Sequence, residues 1–197
     1  AFVRTNEAIK KADICLLVLD SVDGITTQEK RIASNIEKEG KSCILIFNKW
    51  DLVKNLQMEH AERGVREAVP FLNHCPALFI SALKDRNVDH IFSLVKTVCQ
   101  ERKKRISTGA LNKFVISCLQ KYHPPVITGK RLRIYYMTQI ETSPPKFLLF
   151  INRPDLMTQS YRKYLINHFR KMFGFSGSPL YLGLRGKDLK KVKERLL

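Results

Sequence analysis

Three continuous apolar runs constrain the fold of this chain more than any other feature. They cover residues 14–19, 43–47 and 77–80. Stretches with helical periodicity follow them at residues 27–39, 56–68 and 88–105, and a short one precedes them at residues 6–11. A strand with only apolar residues is buried on both faces, which is typical of parallel sheets covered by helices. The alternation therefore predicts a parallel α/β sheet with right-handed crossovers.

A polar, basic stretch at residues 101–105, followed by Ser107, Thr108 and Gly109, marks a domain boundary. Beyond it the pattern is helix, strand, strand, helix and strand, which predicts a compact α+β unit. These five elements are expected at residues 111–122, 132–140, 146–152, 158–173 and 179–184. The predicted domains are residues 1–105 and 106–190, with a basic tail at 191–197.

Charge is distributed unevenly along the chain, whose formal net charge is +17. Residues 1–105 contain 18 Lys and Arg against 14 Asp and Glu, whereas residues 106–197 contain 17 against 4. Such asymmetry indicates that the second half meets a polyanion, and nucleic acid is favoured over membrane because no lipid-type amphipathic helix stands out. Five cysteines without a Cys-x-x-Cys pair are typical of reduced thiols, so we expect a cytoplasmic protein.

The sharpest chemical signal is Asn48-Lys49-Trp50-Asp51, directly after the second apolar run. This position is the carboxyl end of a parallel strand, where open α/β sheets bind ligands. An ionised Asp51 accepts two parallel hydrogen bonds, which matches the N1–H and N2–H₂ donors of guanine and not the N1 acceptor of adenine. Asn48 can bridge the purine N7 edge and a neighbouring loop, and the Lys49 stem can lie along the base.

A second loop, Ser81-Ala82-Leu83, follows the third apolar run. A small residue there lets a backbone N–H approach the guanine O6. Two loops on successive parallel strands converge on one place, so the sequence predicts a guanine site. Its expected residues are Asn48, Lys49, Asp51, Ser81, Ala82 and Leu83.

These loops resemble the fourth and fifth motifs of translation-factor-type GTPases. Residues 4–13, 19–20, 23–26 and 48–51 are similar to the second G domain of the Der (EngA) family, and residues 129–136 and 161–165 to its KH-like domain. The resemblance implies the C-terminal half of a P-loop-type G domain followed by an α-β-β-α-β KH-like domain. It also implies GTP and GDP as ligands, Mg²⁺ in the complete protein, the large ribosomal subunit and its RNA as partners in ribosome biogenesis, and upstream G domains of the same protein.

The sequence contains neither G-x-x-x-x-G-K-[ST] nor Asp-x-x-Gly, which hold the phosphates and the metal-bound water in that class. We therefore expect no catalytic residue and no metal ligand here, and no GTP hydrolysis by this segment alone. Asp20 and Asp23 are poor substitutes, because they belong to a strand end and a turn. Asp85 and Asn87 stand where the family commonly has glycines, and both types tolerate a left-handed turn.

Basic residues of the second half are the candidates for RNA phosphate contact. They are Lys130, Arg131, Arg133, Arg162, Lys163, Arg170 and Lys171. Aromatic residues interleave with them; Tyr135 and Tyr164 are interpreted as half-buried structural residues. Gly174-Phe175-Ser176-Gly177 spells the G-x-x-G of RNA-binding KH domains, but a helix end and turn explains it better because a strand follows.

Two alternatives remain open from the sequence. One is a non-enzymatic RNA- or ribosome-binding module in which the partial G domain serves as a scaffold. The other is a regulatory unit whose basic face packs against an upstream G domain.

Overall fold

The structure, a computed structural model, describes residues 2–54 and 57–186 of the chain. The chain divides into two compact units. The first comprises Ala1–Lys103 together with Phe175–Pro179, and the second comprises Lys104–Gly174 with Leu180–Leu197. The predicted basic tail, residues 191–197, and Leu56, the predicted first residue of a helix, lie outside the described residues.

The first unit is built on a three-stranded parallel sheet in the order β1-β2-β3. Its elements are α1 Phe2–Lys11, β1 Ile14–Asp20, α2 Thr27–Lys38, β2 Ser42–Asn48, α3 Met58–Ala68, β3 Ala77–Phe79 and α4 His90–Lys103. All three apolar runs form strands, so the predicted parallel α/β class is confirmed. The register pairs Asp20 with Asn48 at the carboxyl end of the first two strands.

The central strand β2 is buried on both faces, as the apolar run predicts. Cys43, Leu45 and Phe47 pack in a cluster with residues of α1, α2 and α3. Ile44 and Ile46 face the other way, toward a smaller cluster that includes Val98 of α4. Helices therefore cover both sides of β2, and the strand ends are left to form loops. The prediction of burial on both faces is wrong for β1, where Leu16 and Val18 are 42% and 53% exposed.

The segment Phe175–Pro179 also belongs to the first unit and lies between β2 and the residues that precede β3. The N–H of Cys43 donates to the Gly177 carbonyl over 2.8 Å, and the N–H of Gly177 donates to the His74 carbonyl over 2.7 Å. Phe175 is fully buried. Gly174 ends the preceding helix and a turn follows at residues 176–177, as expected. The turn belongs to the first unit, where Phe175 and Gly177 are buried while Ser176 is exposed.

The second unit contains a three-stranded sheet in the order β6-β7-β8. Its elements are α5 Thr108–Lys121, β4 Val126–Ile127, β5 Lys130–Arg131, β6 Ile134–Thr142, β7 Pro145–Ile151, α6 Gln159–Phe173 and β8 Tyr181–Gly186. β6 and β7 form the predicted antiparallel hairpin, while β8 pairs parallel to β7 after the α6 crossover. The predicted helix, strand, strand, helix, strand order is confirmed, with one addition.

That addition is the small hairpin β4–β5, whose two-residue turn was not predicted. Thr128 and Gly129 have φ values of 47° and 72°, so both central residues are left-handed. Such a turn matches the twist of paired strands. The sequence analysis placed a strand from residue 132, whereas the long strand begins at Ile134.

Helices α5 and α6 cover one face of the second sheet. Phe169 of α6 packs against Phe147 of β7, with ring centroids 4.7 Å apart, and Phe114 of α5 contacts the same Phe169 ring. Alternate residues of the strands point to the other face, where Tyr136 is 42% exposed. Among residues 2–54 and 57–186, every helix is too short or too polar to cross a lipid bilayer.

Candidate functional site

Two loops lie side by side at the carboxyl ends of β2 and β3. After β2 the chain turns through Lys49, whose backbone is left-handed at φ 60° and ψ 29°. A short 3-10 turn, Trp50–Leu52, follows. The N–H of Ile80 donates to the Phe47 carbonyl over 2.8 Å, and the N–H of Trp50 donates to the Ile80 carbonyl over 3.1 Å. Backbone hydrogen bonds thus fix the relative position of the two loops.

Asn48 joins the two loops through its side chain. Its Oδ1 accepts a hydrogen bond of 3.0 Å from the N–H of Ala82. The bridge to a neighbouring loop, which the sequence analysis expected of Asn48, is therefore present. The approach of a backbone N–H of this loop to the guanine O6 stays a prediction, and the Ala82 N–H already donates to Asn48.

Asp51 carries its carboxylate into the space between the loops. Its side chain is only 4% exposed. A hydrogen bond from the Ser81 hydroxyl is the main cause that lowers the pKa of Asp51, burial opposes it, and Lys84 contributes a smaller lowering. The Lys84 Nζ lies 3.4 Å from Oδ2. Within the described part of the chain, that buried oxygen accepts no hydrogen bond.

Lys49 and Asp20 form an ion pair beside this carboxylate, with the Nζ atom 2.5 Å from Oδ2. The hydrogen bond between them lowers the pKa of Asp20 and raises the pKa of Lys49. Asp20 also accepts a hydrogen bond of 2.9 Å from the N–H of Val22. Both interactions hold the Asp20 carboxylate in place, and the ion pair keeps the half-exposed Lys49 stem at the sheet edge.

The loop after Ser81 adopts the left-handed geometry that the sequence analysis expected of it. Asp85 and Asn87 have φ values of 50° and 59°. The Asn87 side chain donates to the Phe79 carbonyl over 3.0 Å, which ties the loop back to β3. Leu83 is 90% exposed, so its side chain points to solvent and only its backbone can contribute to the site.

Lys84 and Asp20 are two residues of this site that the sequence motifs do not predict. Lys84 directly follows the Ser81-Ala82-Leu83 loop, and its charge lies opposite Asp51. Asp20 ends β1 in register with Asn48, so the parallel pairing brings it to the loop. The sequence signal that could have identified Asp20 was its position at the end of the first apolar run, which pairs in parallel with the second. No comparable signal pointed to Lys84.

The structure divides the seven candidate RNA-contact residues between two places. Lys130 and Arg131 form β5, and Arg133 follows them directly before β6. Arg162, Lys163, Arg170 and Lys171 lie on α6. Arg162 donates to the Leu182 carbonyl over 2.6 Å, so part of its hydrogen-bonding capacity is used inside the unit.

The two tyrosines interpreted as structural differ from each other. Tyr164 is half-buried, and its hydroxyl donates to the Cys118 carbonyl over 3.1 Å, in agreement with that interpretation. Tyr135 is 46% exposed at an irregularity in β6, so it is also about half-buried, with a larger exposed part than Tyr164. The bulge displaces Tyr135 from the regular alternation of the strand.

In the described part of the chain, no group of three or more His, Cys, Asp or Glu side chains is arranged to hold a metal ion.

Comparison with known proteins assigns both halves of the chain. Residues 2–101 match the family of the elongation factor Tu GTP binding domain, and residues 105–185 match the KH-domain-like C-terminal region of EngA bacterial GTPase enzymes. A protein named GTPase Der from Protochlamydia amoebophila is 52% identical over 96% of this chain. The chain belongs to the Der (EngA) family of GTPases. It spans 39% of the length of that Der relative.

A second Der relative matches over nearly the same share of this chain at lower identity. GTPase Der from Acetivibrio thermocellus is 43% identical over 95% of this chain and 43% of its own length. Among solved structures, Era in complex with MgGDPNP and nucleotides 1506–1542 of 16S ribosomal RNA is 19% identical over 95% of this chain and 72% of that chain. Its TM-score is 0.41, which is too low to support an inference about the ligands of this Der-family chain.

Proposed function

We propose that the two loops of the first unit recognise the guanine base of GTP and GDP through Asn48, Lys49, Asp51, Ser81, Ala82 and Leu83. The buried Asp51 Oδ2, which accepts no hydrogen bond from the described residues, carries this proposal. The Lys84 Nζ, 3.4 Å away, balances the charge of this oxygen without making a hydrogen bond to it, and a buried acceptor without a hydrogen bond is expected to have a ligand that donates to it. Guanine offers two adjacent donors, N1–H and N2–H₂, to a carboxylate that is already ionised.

The neighbouring contacts support the same ligand. Ser81 and Lys84 keep Asp51 in the acceptor-only form. Asn48 uses its Oδ1 for the Ala82 N–H, which leaves its amide N–H groups directed to the purine N7 edge. The Lys49 stem, held by Asp20, lies along the base plane. Adenine would place an acceptor against Asp51, and that mismatch excludes it.

The test is a change of base preference in the complete protein. Asp51→Asn replaces one acceptor oxygen with an amide donor, so we expect GDP affinity to fall by more than about tenfold and xanthosine diphosphate affinity to rise. Mant-labelled nucleotides measure both affinities, and energy transfer from Trp50, the single tryptophan of this chain, reports occupancy of this site.

The matched control is Asp89→Asn, the same chemical change at a carboxylate that is 83% exposed. It should leave both affinities unchanged. Equal GDP affinities for Asp51→Asn and Asp89→Asn would refute guanine recognition by Asp51.

The activity of the whole protein extends this proposal. GTP hydrolysis needs phosphate and metal positioning, and this sequence contains no G-x-x-x-x-G-K-[ST] loop. We infer that the complete protein hydrolyses GTP and that its action is directed to the large ribosomal subunit, as the family membership implies. The guanine site of this chain would then anchor the nucleotide whose phosphates are held by other residues.

A second candidate function, RNA binding by the second unit, is supported by its charge. Residues 106–186 contain twelve Lys and Arg against two acidic residues, and both of these are in ion pairs: Glu141 with Lys146 and Asp155 with Arg153. The remaining positive charge favours a polyanion.

The salt dependence of RNA affinity tests this function, because phosphate contacts release counterions and weaken steeply with salt. An affinity for ribosomal RNA fragments that does not change between 50 and 200 mM salt would contradict it. Cross-linking of the second unit to RNA, rather than to an upstream G domain, separates it from the docking alternative.

A further inference from the structure

The face of the second sheet that α5 and α6 leave uncovered carries a row of three side chains across its three strands. Tyr136 of β6, Phe150 of β7 and Arg185 of β8 occupy directly paired positions. The Tyr136 and Phe150 rings stack with centroids 4.1 Å apart and an interplanar angle of 15°. The Arg185 guanidinium carbon lies 5.8 Å from the Phe150 centroid, within cation–π range.

This row borders a hollow of about 270 Å³, which Tyr135 and Ile151 also line. Phe150 covers one face of the Tyr136 ring, and Tyr136 remains 42% exposed. Exposed aromatic faces beside a hollow are unusual on a surface that only faces water, because they are normally buried in a core or an interface.

Positive charge surrounds the same end of the sheet. Asn152, the residue after β7, accepts a hydrogen bond of 2.9 Å from the Arg133 N–H and donates one of 3.0 Å to the Arg131 carbonyl. These bonds fix the basic β5 segment next to the row. The nearest acidic side chain in sequence, Asp155, is paired with Arg153. The row thus combines a π surface, a guanidinium and unneutralised basic residues.

We propose that this row, with its hollow, binds an unpaired base of single-stranded RNA, the base stacking on Tyr136 and the adjoining phosphates contacting Arg185 and Arg131. The proposal rests on the RNA-binding function argued above and gives it a location. The positive charge around the row favours the phosphates of RNA over a protein partner. The exposed Tyr136 ring favours an unpaired base, because the bases of a duplex are already stacked on each other. The site lies on the opposite side of the sheet from α6, and so it does not use the four basic residues of that helix.

The experiment measures binding of a fluorescein-labelled single-stranded RNA 12-mer, and of the duplex with the same sequence, to the complete protein. Loss of one base–aromatic stack is expected to weaken single-strand binding of Tyr136→Ala by about 5- to 150-fold. Duplex binding should not change, because its bases are already stacked. Tyr136→Phe keeps the ring and should bind like the wild type.

The matched control is Tyr122→Ala, which removes a 58% exposed tyrosine at the end of α5, on the helix-covered side of the sheet. It should leave RNA affinity unchanged. Arg185→Gln tests the charged end of the row without removing a ring, and it should reduce the salt slope by about one phosphate contact. This second variant keeps the test decisive if Tyr136→Ala folds poorly.

A 2-aminopurine base in the same single strand gives an independent readout, because stacking quenches its fluorescence. Quenching in the wild type and in Tyr136→Phe but not in Tyr136→Ala is the expected result. Equal affinities and equal quenching for Tyr136→Ala and Tyr122→Ala would overturn the proposed base site, while RNA binding at another place would remain possible. A cross-link of this sheet face to another G domain instead of RNA would overturn the site as well. Absence of RNA binding by the wild type would overturn the RNA-binding function itself, while mant-GDP binding would still report on the guanine site.

Discussion

Gly177→Ala is expected to destabilise the first unit far more than an ordinary glycine substitution. Gly177 has φ +72°, and a Cβ at this position would lie 2.8 Å from the Val98 Cγ2 atom and 3.0 Å from the Cys43 carbonyl oxygen. Val98 is fully buried, and the Cys43 carbonyl belongs to the central strand β2. Neither neighbour can move away without disturbing the core.

Two effects determine the magnitude. A left-handed backbone costs an L-residue about 1–2 kcal/mol, and overpacking a filled core costs typically about 1–3 kcal/mol. We therefore expect the free energy of unfolding to fall by about 2–5 kcal/mol. Gly24→Ala is the matched control, because Gly24 has φ +73° in the same unit and no atom within 4 Å of the added Cβ. Only the backbone cost applies there.

Urea unfolding followed by Trp50 fluorescence measures both variants. Trp50 is the single tryptophan of the chain and packs edge-on against Phe79, 4.6 Å between centroids, so its emission reports the first unit. Gly177→Ala should lose at least about 1 kcal/mol more than Gly24→Ala. Equal losses would refute the close approach of the Phe175–Pro179 segment to the core of the first unit.

Two further outcomes follow from titrating groups. The pKa of Asp51 is lowered mainly by the Ser81 hydroxyl, so carbon-13 NMR should show it titrating below its ordinary value of 3.8, and the stability that its ionised form contributes should be lost as the pH falls through that lowered value. Ser81→Ala should raise the pKa of Asp51; an unchanged or lower value would contradict the assigned cause. Burial raises the pKa of Cys118 to about 11 from 9.0, so its alkylation by iodoacetamide at pH 8 should be about 100-fold slower than in urea. Mass spectrometry of the alkylated peptides checks this, with half-buried Cys99 as the comparison, and equal rates for Cys118 in folded and unfolded chains would refute it.

Part of this protein is determined by local sequence. The three apolar runs predicted β1, β2 and β3, because continuous apolar stretches are typical of strands in parallel sheets. Only β2 is buried on both faces. Asp85 and Asn87 predicted a left-handed loop from their side-chain chemistry, and the loop has that geometry. The Asn48-Lys49-Trp50-Asp51 motif predicted a guanine site because it directly follows a parallel strand, and its base recognition stays a prediction.

The tertiary structure decided how distant segments combine. The stretch after Gly174 was predicted as a turn, and its burial against β2 depends on residues more than a hundred positions away, so no local pattern encodes it. Lys84 meets Asp51 only because β2 and β3 run parallel and end at the same edge.

The Tyr136, Phe150 and Arg185 row depends in the same way on strand register, which a one-residue slip would destroy. Hydrophobic periodicity is a property of neighbouring residues and therefore fixes which elements form. The convergence of side chains at a site is a property of pairing and packing, which only the folded chain defines.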